Sequence, residues 1–559
     1  MRLPRLDRDA LPAAAIALTS LVLGALIFGR FLFPYATVIG FDEGYMVSFA
    51  ERLIDGHWLP YVDAVSQRGP VLYWVLALAQ LLTGRYRWVG IRTVGLGCCL
   101  LTITATYLAG VAARWPLAGA IGGAASIVVI SLAGGTLGVY GETVAAPCLA
   151  VSFALVACAL CRSGPGSSAR SRSRSSRRRL GLLALAGAFA ALAAMAKQTA
   201  GLASGPLLAW ALVHAWSEAD EAGGAPRPRL AWCLPGLGFV AGWAVIFGAI
   251  VAWYAAHGAL GELVYWSTTY NAAIYMLPYR GRYWHVLGAW LFAHPYAILT
   301  PVLIGGLLFA RLASLAPSRS ARGLAQAYAR AGFEVTAALT GLALFATALL
   351  PARFWWHYFM PTWPWLGLVV GVLVELLVRR GAGPTPGKQA VVATAGVMLI
   401  IALGGRRLGT INHARASGTW GDPRPDPICA HIDTHAPPGE SIFVWGFDAD
   451  LYITCRRKPA ARFTYLTLVA GIVPPFWKSP KPEQVARGSR ELLLADLEQS
   501  RPAVILDLPI HGFSMARVPE LRALLARDYC PLPAVTGKGG RQPRFFGRRD
   551  LGGCKEGAE

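Results

Sequence analysis

Residues 38–74 read VIGFDEGYMVSFAERLIDGHWLPYVDAVSQRGPVLYW, close behind an apolar run at 11–33. That run is long enough to cross a bilayer, which takes about 20 apolar residues. Asp42 and Glu43 therefore stand shortly past the end of a membrane span. A carboxylate beside lipid is costly, about 2.5–3.5 kcal/mol for an Asp at the centre of a span. Either the pair caps the helix that GYMVSFAERL begins, or it performs chemistry at the membrane face. The residues themselves leave both open. Segment 70–84 is apolar but short, and reads as a re-entrant or membrane-surface helix.

The rest of the chain extends this membrane pattern. Of its 559 residues 55% are hydrophobic and 15% charged, with 62 Gly and 19 Trp. Mean hydropathy is +0.46. Soluble domains run near a quarter charged, so a cytosolic globule and a disordered chain are both excluded. Further candidate spans are 91–112, 117–134, 140–161, 180–196, 200–216, 232–256, 284–310, 333–351, 361–378 and 389–404, which makes about eleven. The first span lacks a small-residue cleavage site and is expected to stay as an anchor. With the N-terminus in the cytoplasm, inside segments hold 20 Lys and Arg and outside segments 9. Positive charge concentrates on the cytoplasmic side of membrane proteins, so this orientation is the expected one.

The net charge of +22 accordingly points to cytoplasmic loops before nucleic acid. Loop 163–179, SGPGSSARSRSRSSRRR, is expected to be a flexible linker attracted to anionic headgroups, since nothing aromatic accompanies its charge. From about residue 405 the apolar runs stop. Strand-like runs at 441–446 and 502–508, with helical segments at 482–499 and 517–527, read as a small α/β domain. An odd number of crossings puts that domain outside. Six cysteines (98, 99, 148, 158, 161, 233) lie in or beside apolar runs and suit packing. Cys429, Cys455, Cys530 and Cys554 fall in the exported part, where a disulfide is chemically permitted.

FDEGY, AERLIDGHWLPYVD and QRGPVLYW together resemble the first outer loop of the GT-C superfamily, the polyprenyl-phosphate-dependent glycosyltransferases. The likeness is greatest to the protein O-mannosyltransferase and aminoarabinose-transferase branch (glycosyltransferase family 39-like). It implies an α-helical polytopic membrane protein, with a transferase domain at 1–404 that includes an outer loop at 34–90, and an extracytoplasmic α/β domain at 405–559. It implies Asp42 as general base for an acceptor hydroxyl, which is a poor nucleophile until its proton is removed. Glu43 would share the acceptor or hold Asp42 in place. The branch's Lys-Pro-Pro element falls on Arg68-Gly69-Pro70. Arg68 keeps the cation and can meet the donor phosphate through two N–H groups.

Five further positions follow from the same likeness. Glu142, opening the fourth span in GVYGETVAAP, matches a second acidic position, or else merely favours a helix N-terminus. Lys197, in AAMAKQTAG, interrupts an apolar stretch and either meets the donor phosphate or snorkels to the surface. In RFWWHYF, Arg353, His357 and Tyr358 would grip the same phosphate, or belong to an aromatic belt.

Loop 253–285 carries nine Trp and Tyr residues, which are expected at headgroup level. No Gly-rich loop joins a strand to a helix, so a nucleotide site has no support. In HIDTH, 431–435, two His stand four apart, but Pro-rich flanks argue against the helix a metal pair requires. No metal and no cofactor is therefore expected. The expected activity is transfer of a sugar from a polyprenyl-phosphate donor to a lipid, glycan or protein acceptor, at the outer face of the inner (cytoplasmic) membrane. Membrane lipids are partners and nucleic acid is not. A lipid or polysaccharide flippase is the competing class, predicting internal repeats and midplane acids that are not seen. A membrane scaffold is the third, and it predicts no need for the Asp42 carboxylate.

Overall fold

The computed structural model describes residues 11–32, 41–132, 138–161, 169–221, 232–275, 282–293, 296–315, 321–351, 354–379, 386–416, 426–472, 480–509 and 512–551. Among them eight helices are long and apolar enough to cross a membrane: Leu11–Gly29, Trp88–Ala112, Gly141–Leu160, Ser176–Ala196, Leu234–Ala256, Gly332–Leu349, His357–Arg379 and Gly387–His413. The three remaining expected spans take other forms. Segment 117–134 is the 17-residue helix Pro116–Leu132. Segment 200–216 begins as a tight 3-10 turn, Gln198–Ala203, before helix Ser204–Glu221, whose acidic end lowers its hydropathy. Segment 284–310 is two helices, Tyr283–Ala293 and Tyr296–Leu315. Pro70–Thr83 is a short apolar helix.

The chain forms two compact units. One comprises Met1–Arg30, Gly95–Ala252 and Arg282–His413, and is helical. Its helices approach closely at small residues: a Cβ built on Gly187 would lie 1.9 Å from the Phe239 carbonyl oxygen, and one on Gly242 1.7 Å from that of Ala184. Such contacts let van der Waals packing hold helices where lipid offers no hydrophobic drive. Charges in this unit are paired, with Glu334 at 2.8 Å from Arg311 and Glu375 at 2.6 Å from Arg379. Glu375 also accepts from the Ala118 amide at 3.0 Å, capping helix Pro116–Leu132. The Arg-rich loop departs from expectation. Residues 169–179 are helical, continuous with the span that ends at Ala196. Arg and Ala are good helix formers, and a span already wound removes the nucleation cost.

The second unit comprises Phe31–Val94, Trp253–Gly281 and Ala414–Glu559. Its sheet has the order β1-β2-β4-β3, with β1 Ile442–Trp445, β2 Val504–Asp507, β3 Tyr529–Leu532 and β4 Arg544–Arg548. β1 and β2 run parallel, Ile442 opposite Val504, and the other two pairs are antiparallel. Every residue of β1 and β2 is buried, as strands covered on both faces should be. The last two strands were not anticipated: β3 carries Pro531 and β4 carries Gly547, both poor strand signals. Pro531 is tolerated because β3 lies at the sheet edge.

HIDTH is also corrected. Residues Pro427–His435 do form a helix, because Pro427 sits in its first turn and Asp426 accepts from the Ile428 amide at 3.0 Å. His435 Nδ1 is 2.9 Å from the His431 carbonyl oxygen of its own helix. A disulfide joins Cys429 of that helix to Cys455, and Cys530 is disulfide-bonded as well. Cys554 lies outside the described residues. The other six cysteines are free thiols. Replacing Cys429 and Cys455 by Ser opens a loop of 26 residues. The expected loss is about 3 kcal/mol, read from chemical unfolding of the full chain beside the reduced wild type.

Candidate functional site

The stretch that opens with the acidic pair folds as helix Phe41–Asp55, with Asp42 and Glu43 in its first turn and Arg52 in its last, as the helix dipole favours. Every residue from Glu43 to Glu51, and Leu53 after them, is buried, so this helix is enclosed on all sides within the second unit. Gly44 lets that enclosure form. A Cβ there would stand 2.5 Å from the Asp450 backbone nitrogen, so helix Asp450–Thr454 can press against the turn bearing the acids only because residue 44 has none.

The two adjacent acids meet different fates. Glu43 is fully buried and bound in two places by the Arg92 guanidinium, Nη2 to Oε2 at 2.7 Å and Nη1 to Oε1. Asp42 keeps 27% of its side chain exposed and pairs with Arg68, itself 18% exposed, at 2.7 Å. Arg68 is positioned from several directions. Its amide donates to Ser66 Oγ at 3.2 Å, its carbonyl accepts from Tyr61 at 2.6 Å, and its guanidinium lies 5.6 Å from the Tyr45 ring centre. Behind it the hydroxyls of Tyr45, Ser66 and Tyr73 form a buried hydrogen-bonded triangle, with Ser66 to Tyr73 at 2.5 Å. Burial pushes the Tyr45 hydroxyl well above the ordinary tyrosine range. Gly69 then turns the chain and Pro70 starts the next helix, a position that needs no amide proton.

Part of the aromatic loop locks this arrangement from outside. Tyr254, Trp266 and Tyr270 are buried, which corrects the expectation of a headgroup belt for those three. Tyr254 donates to the Pro60 carbonyl at 3.1 Å, and Asn271 donates to that of Gln67 at 2.8 Å. Trp253 and Trp284 are exposed.

A second group assembles in the helical unit. Lys197, at the turn before Gln198–Ala203, lies 2.7 Å from Glu142 and 4.4 Å from the Tyr358 ring centre. His357 stacks on Tyr140 at 4.4 Å and meets Tyr358 edge-on at 4.7 Å. Glu142, Lys197, His357 and Tyr358 thus gather from three separate stretches of sequence. Arg353 lies outside the described residues.

Chemically, the first group offers a reachable carboxylate beside a guanidinium with fork geometry. The second offers a cation and ring faces at helix ends. No cluster of three or more His, Cys, Asp or Glu gathers as metal ligands among the described residues. Arg92, the hydroxyl triangle and Tyr140 were not singled out from sequence. Only Arg92 left a signal there, as a lone charge entering an apolar run.

No protein-family model matches the chain, and no curated protein matches it by sequence. Solved structures do match. ArnT from Cupriavidus metallidurans bound to undecaprenyl phosphate is similar with a TM-score of 0.50 at 16% identity, covering 97% of this chain and 98% of that one. The apo state of the same protein gives 0.51 at 17% identity, with 96% and 98% covered. An apo oligosaccharyltransferase from Archaeoglobus fulgidus gives 0.48 at 13% identity, with 89% and 69% covered.

Proposed function

From the premise that this chain has the GT-C fold of the aminoarabinose transferase ArnT, we propose that it is a membrane glycosyltransferase using a polyprenyl-phosphate sugar. The carrying observation is the partly exposed Asp42–Arg68 pair at 2.7 Å on the first outer loop. Asp42 takes the proton of an acceptor hydroxyl as its oxygen bonds to C1 of the donor sugar. The C1–O bond to phosphate breaks, and polyprenyl phosphate leaves with the electron pair, its new charge met by Arg68. Attack opposite the leaving group inverts C1.

The pair itself orders these events. While Asp42 is bound to Arg68, its Oδ2 is engaged by the guanidinium. An arriving phosphate competes for the guanidinium and frees the carboxylate at the moment it is wanted. Glu43, buried and clamped by Arg92, acts as a positioning residue. Glu142 serves as the second acid, with Lys197, Arg353, His357 and Tyr358 on the donor phosphate. That ArnT was crystallised with undecaprenyl phosphate supports the donor class.

The reaction belongs at the outer face of the cytoplasmic membrane, with the α/β domain exported. The bias of Lys and Arg to the opposite segments supports this sidedness, as do disulfides at Cys429, Cys455 and Cys530, which require an oxidising compartment. The test is turnover in proteoliposomes offered a panel of polyprenyl-phosphate sugars with envelope acceptors, following release of polyprenyl phosphate. Absence of release from every donor, with lipid moving between leaflets, would replace this reading with a flippase. In the same assay Arg68→Gln is expected to raise the donor KM and lower kcat/KM by about 100-fold, as loss of a charge-assisted contact to phosphate does. Arg68→Lys should recover part of that loss.

A further inference from the structure

At the far end of the helix that carries Asp42 lies a polar cleft of about 430 Å³. That volume is within the range of small-molecule sites, roughly 300–1,000 Å³. Its walls include Arg52, Glu440, Ser441, Lys458, Asp496 and Ser500, all of the second unit. Ten residues of one helix separate Asp42 from Arg52, about 15 Å along the axis.

Among the described residues, the two cations and two carboxylates of this cleft form no ion pair with one another. Both oxygens of Asp496 are taken by Arg462, at 2.8 to 3.1 Å. Glu440 stands 3.6 Å from Arg548, which Asp550 already holds at 2.8 Å. Arg52, by contrast, forms no ion pair among the described residues. Its Nε and Nη1 donate to the backbone carbonyls of Asp63 and Pro459, at 3.2 and 3.3 Å, leaving Nη2 without a partner there. Burial lowers its pKa from the ordinary arginine value, with Asp496, Asp63 and Asp55 acting against that and Arg462 adding to it. Lys458 is nearly half exposed, and its one carboxylate contact is Asp55 at 3.6 Å, which Arg85 already holds at 2.8 Å. Ser500 Oγ is buried with no hydrogen-bond partner. Two cations without a close ion pair of their own and a buried, unpartnered hydroxyl therefore line a roomy polar cleft. Charge-assisted hydrogen bonds are the strong ones, so this lining suits an anionic, hydroxylated occupant.

We propose that this cleft binds an acidic sugar unit, one bearing a carboxylate or a phosphate, with Arg52 and Lys458 on the anion and Ser500 on a ring hydroxyl. Its role as an acceptor dock rests on the transferase reading above: a saccharide seated here extends along the helix toward Asp42. Binding itself does not depend on that reading.

The experiment is calorimetric titration of the full chain in nanodiscs with trigalacturonate, glucose 1-phosphate, neutral maltotriose and inorganic phosphate. One or both acidic sugars should bind at least about tenfold more tightly than maltotriose, the scale of a charge-assisted hydrogen bond. Which of the two wins identifies the anion. Lys458→Gln, at a half-exposed position that folding tolerates, should erase most of that preference, and Arg52→Gln should do the same. Asp42→Asn should leave binding unchanged while abolishing transfer, so that failure of the dock and failure of the transferase reading are told apart. Equal binding of acidic and neutral sugars overturns the proposal. So does wild-type affinity in both cleft variants, or inorganic phosphate binding as well as the sugars.

Discussion

Asp42→Asn is expected to lower sugar transfer by about 10²–10⁴-fold, the usual contribution of a general base. The substitution is nearly isosteric, and its amide oxygen can still accept from Arg68, so the loop should stay folded. What disappears is the proton acceptor. Donor binding should persist or tighten, because Arg68 loses an internal carboxylate that competes with phosphate. The distinguishing result is thus a collapse of kcat with an unchanged or lower donor dissociation constant, measured by polyprenyl phosphate release and by donor binding separately. Equal turnover of variant and wild type would remove Asp42 from the chemistry while leaving the enzyme class standing.

Arg92→Met is expected to destabilise the chain by about 3–5 kcal/mol, because it strands Glu43 as a buried charge. Both side chains are at most 1% exposed, so no water can replace the guanidinium. The double variant Glu43→Gln with Arg92→Met should recover much of the loss, since a neutral amide is far cheaper to bury. Thermal unfolding of the four members of this cycle, together with protease cleavage in the loop helix, measures the effect. A single variant as stable as wild type would show that Glu43 takes up a proton or finds another partner. Transfer should fall with the single variant, because Asp42 sits one residue from the lost clamp.

Much of this was legible before any coordinates. Long apolar runs give away membrane helices, and the stretch from Asp42 to Trp74 announced a loop helix followed by a cation and a proline. The boundaries of that legibility are physical. Hydropathy marks where a chain is apolar but not where it kinks, so 284–310 read as one span although it forms two helices. Prolines around HIDTH were read as helix breakers, yet Pro427 occupies the one turn where proline costs nothing. Adjacent acids look alike in sequence. Only the fold divides them, giving Glu43 to Arg92 and leaving Asp42 within reach of solvent. Tyr254 and Trp266 carried the composition of a membrane belt, and burial depends on tertiary neighbours that composition does not encode.

The Cys429–Cys455 bond has a reach beyond the α/β domain's own stability. Cys455 closes the C-terminal end of helix Asp450–Thr454, whose first residue abuts Gly44, two positions from Asp42. A chain whose thiols are reduced lacks this brace behind the turn that bears Asp42 and Glu43. On the transferase reading proposed above, the redox state of this one bond would set how firmly the Asp42 turn is held.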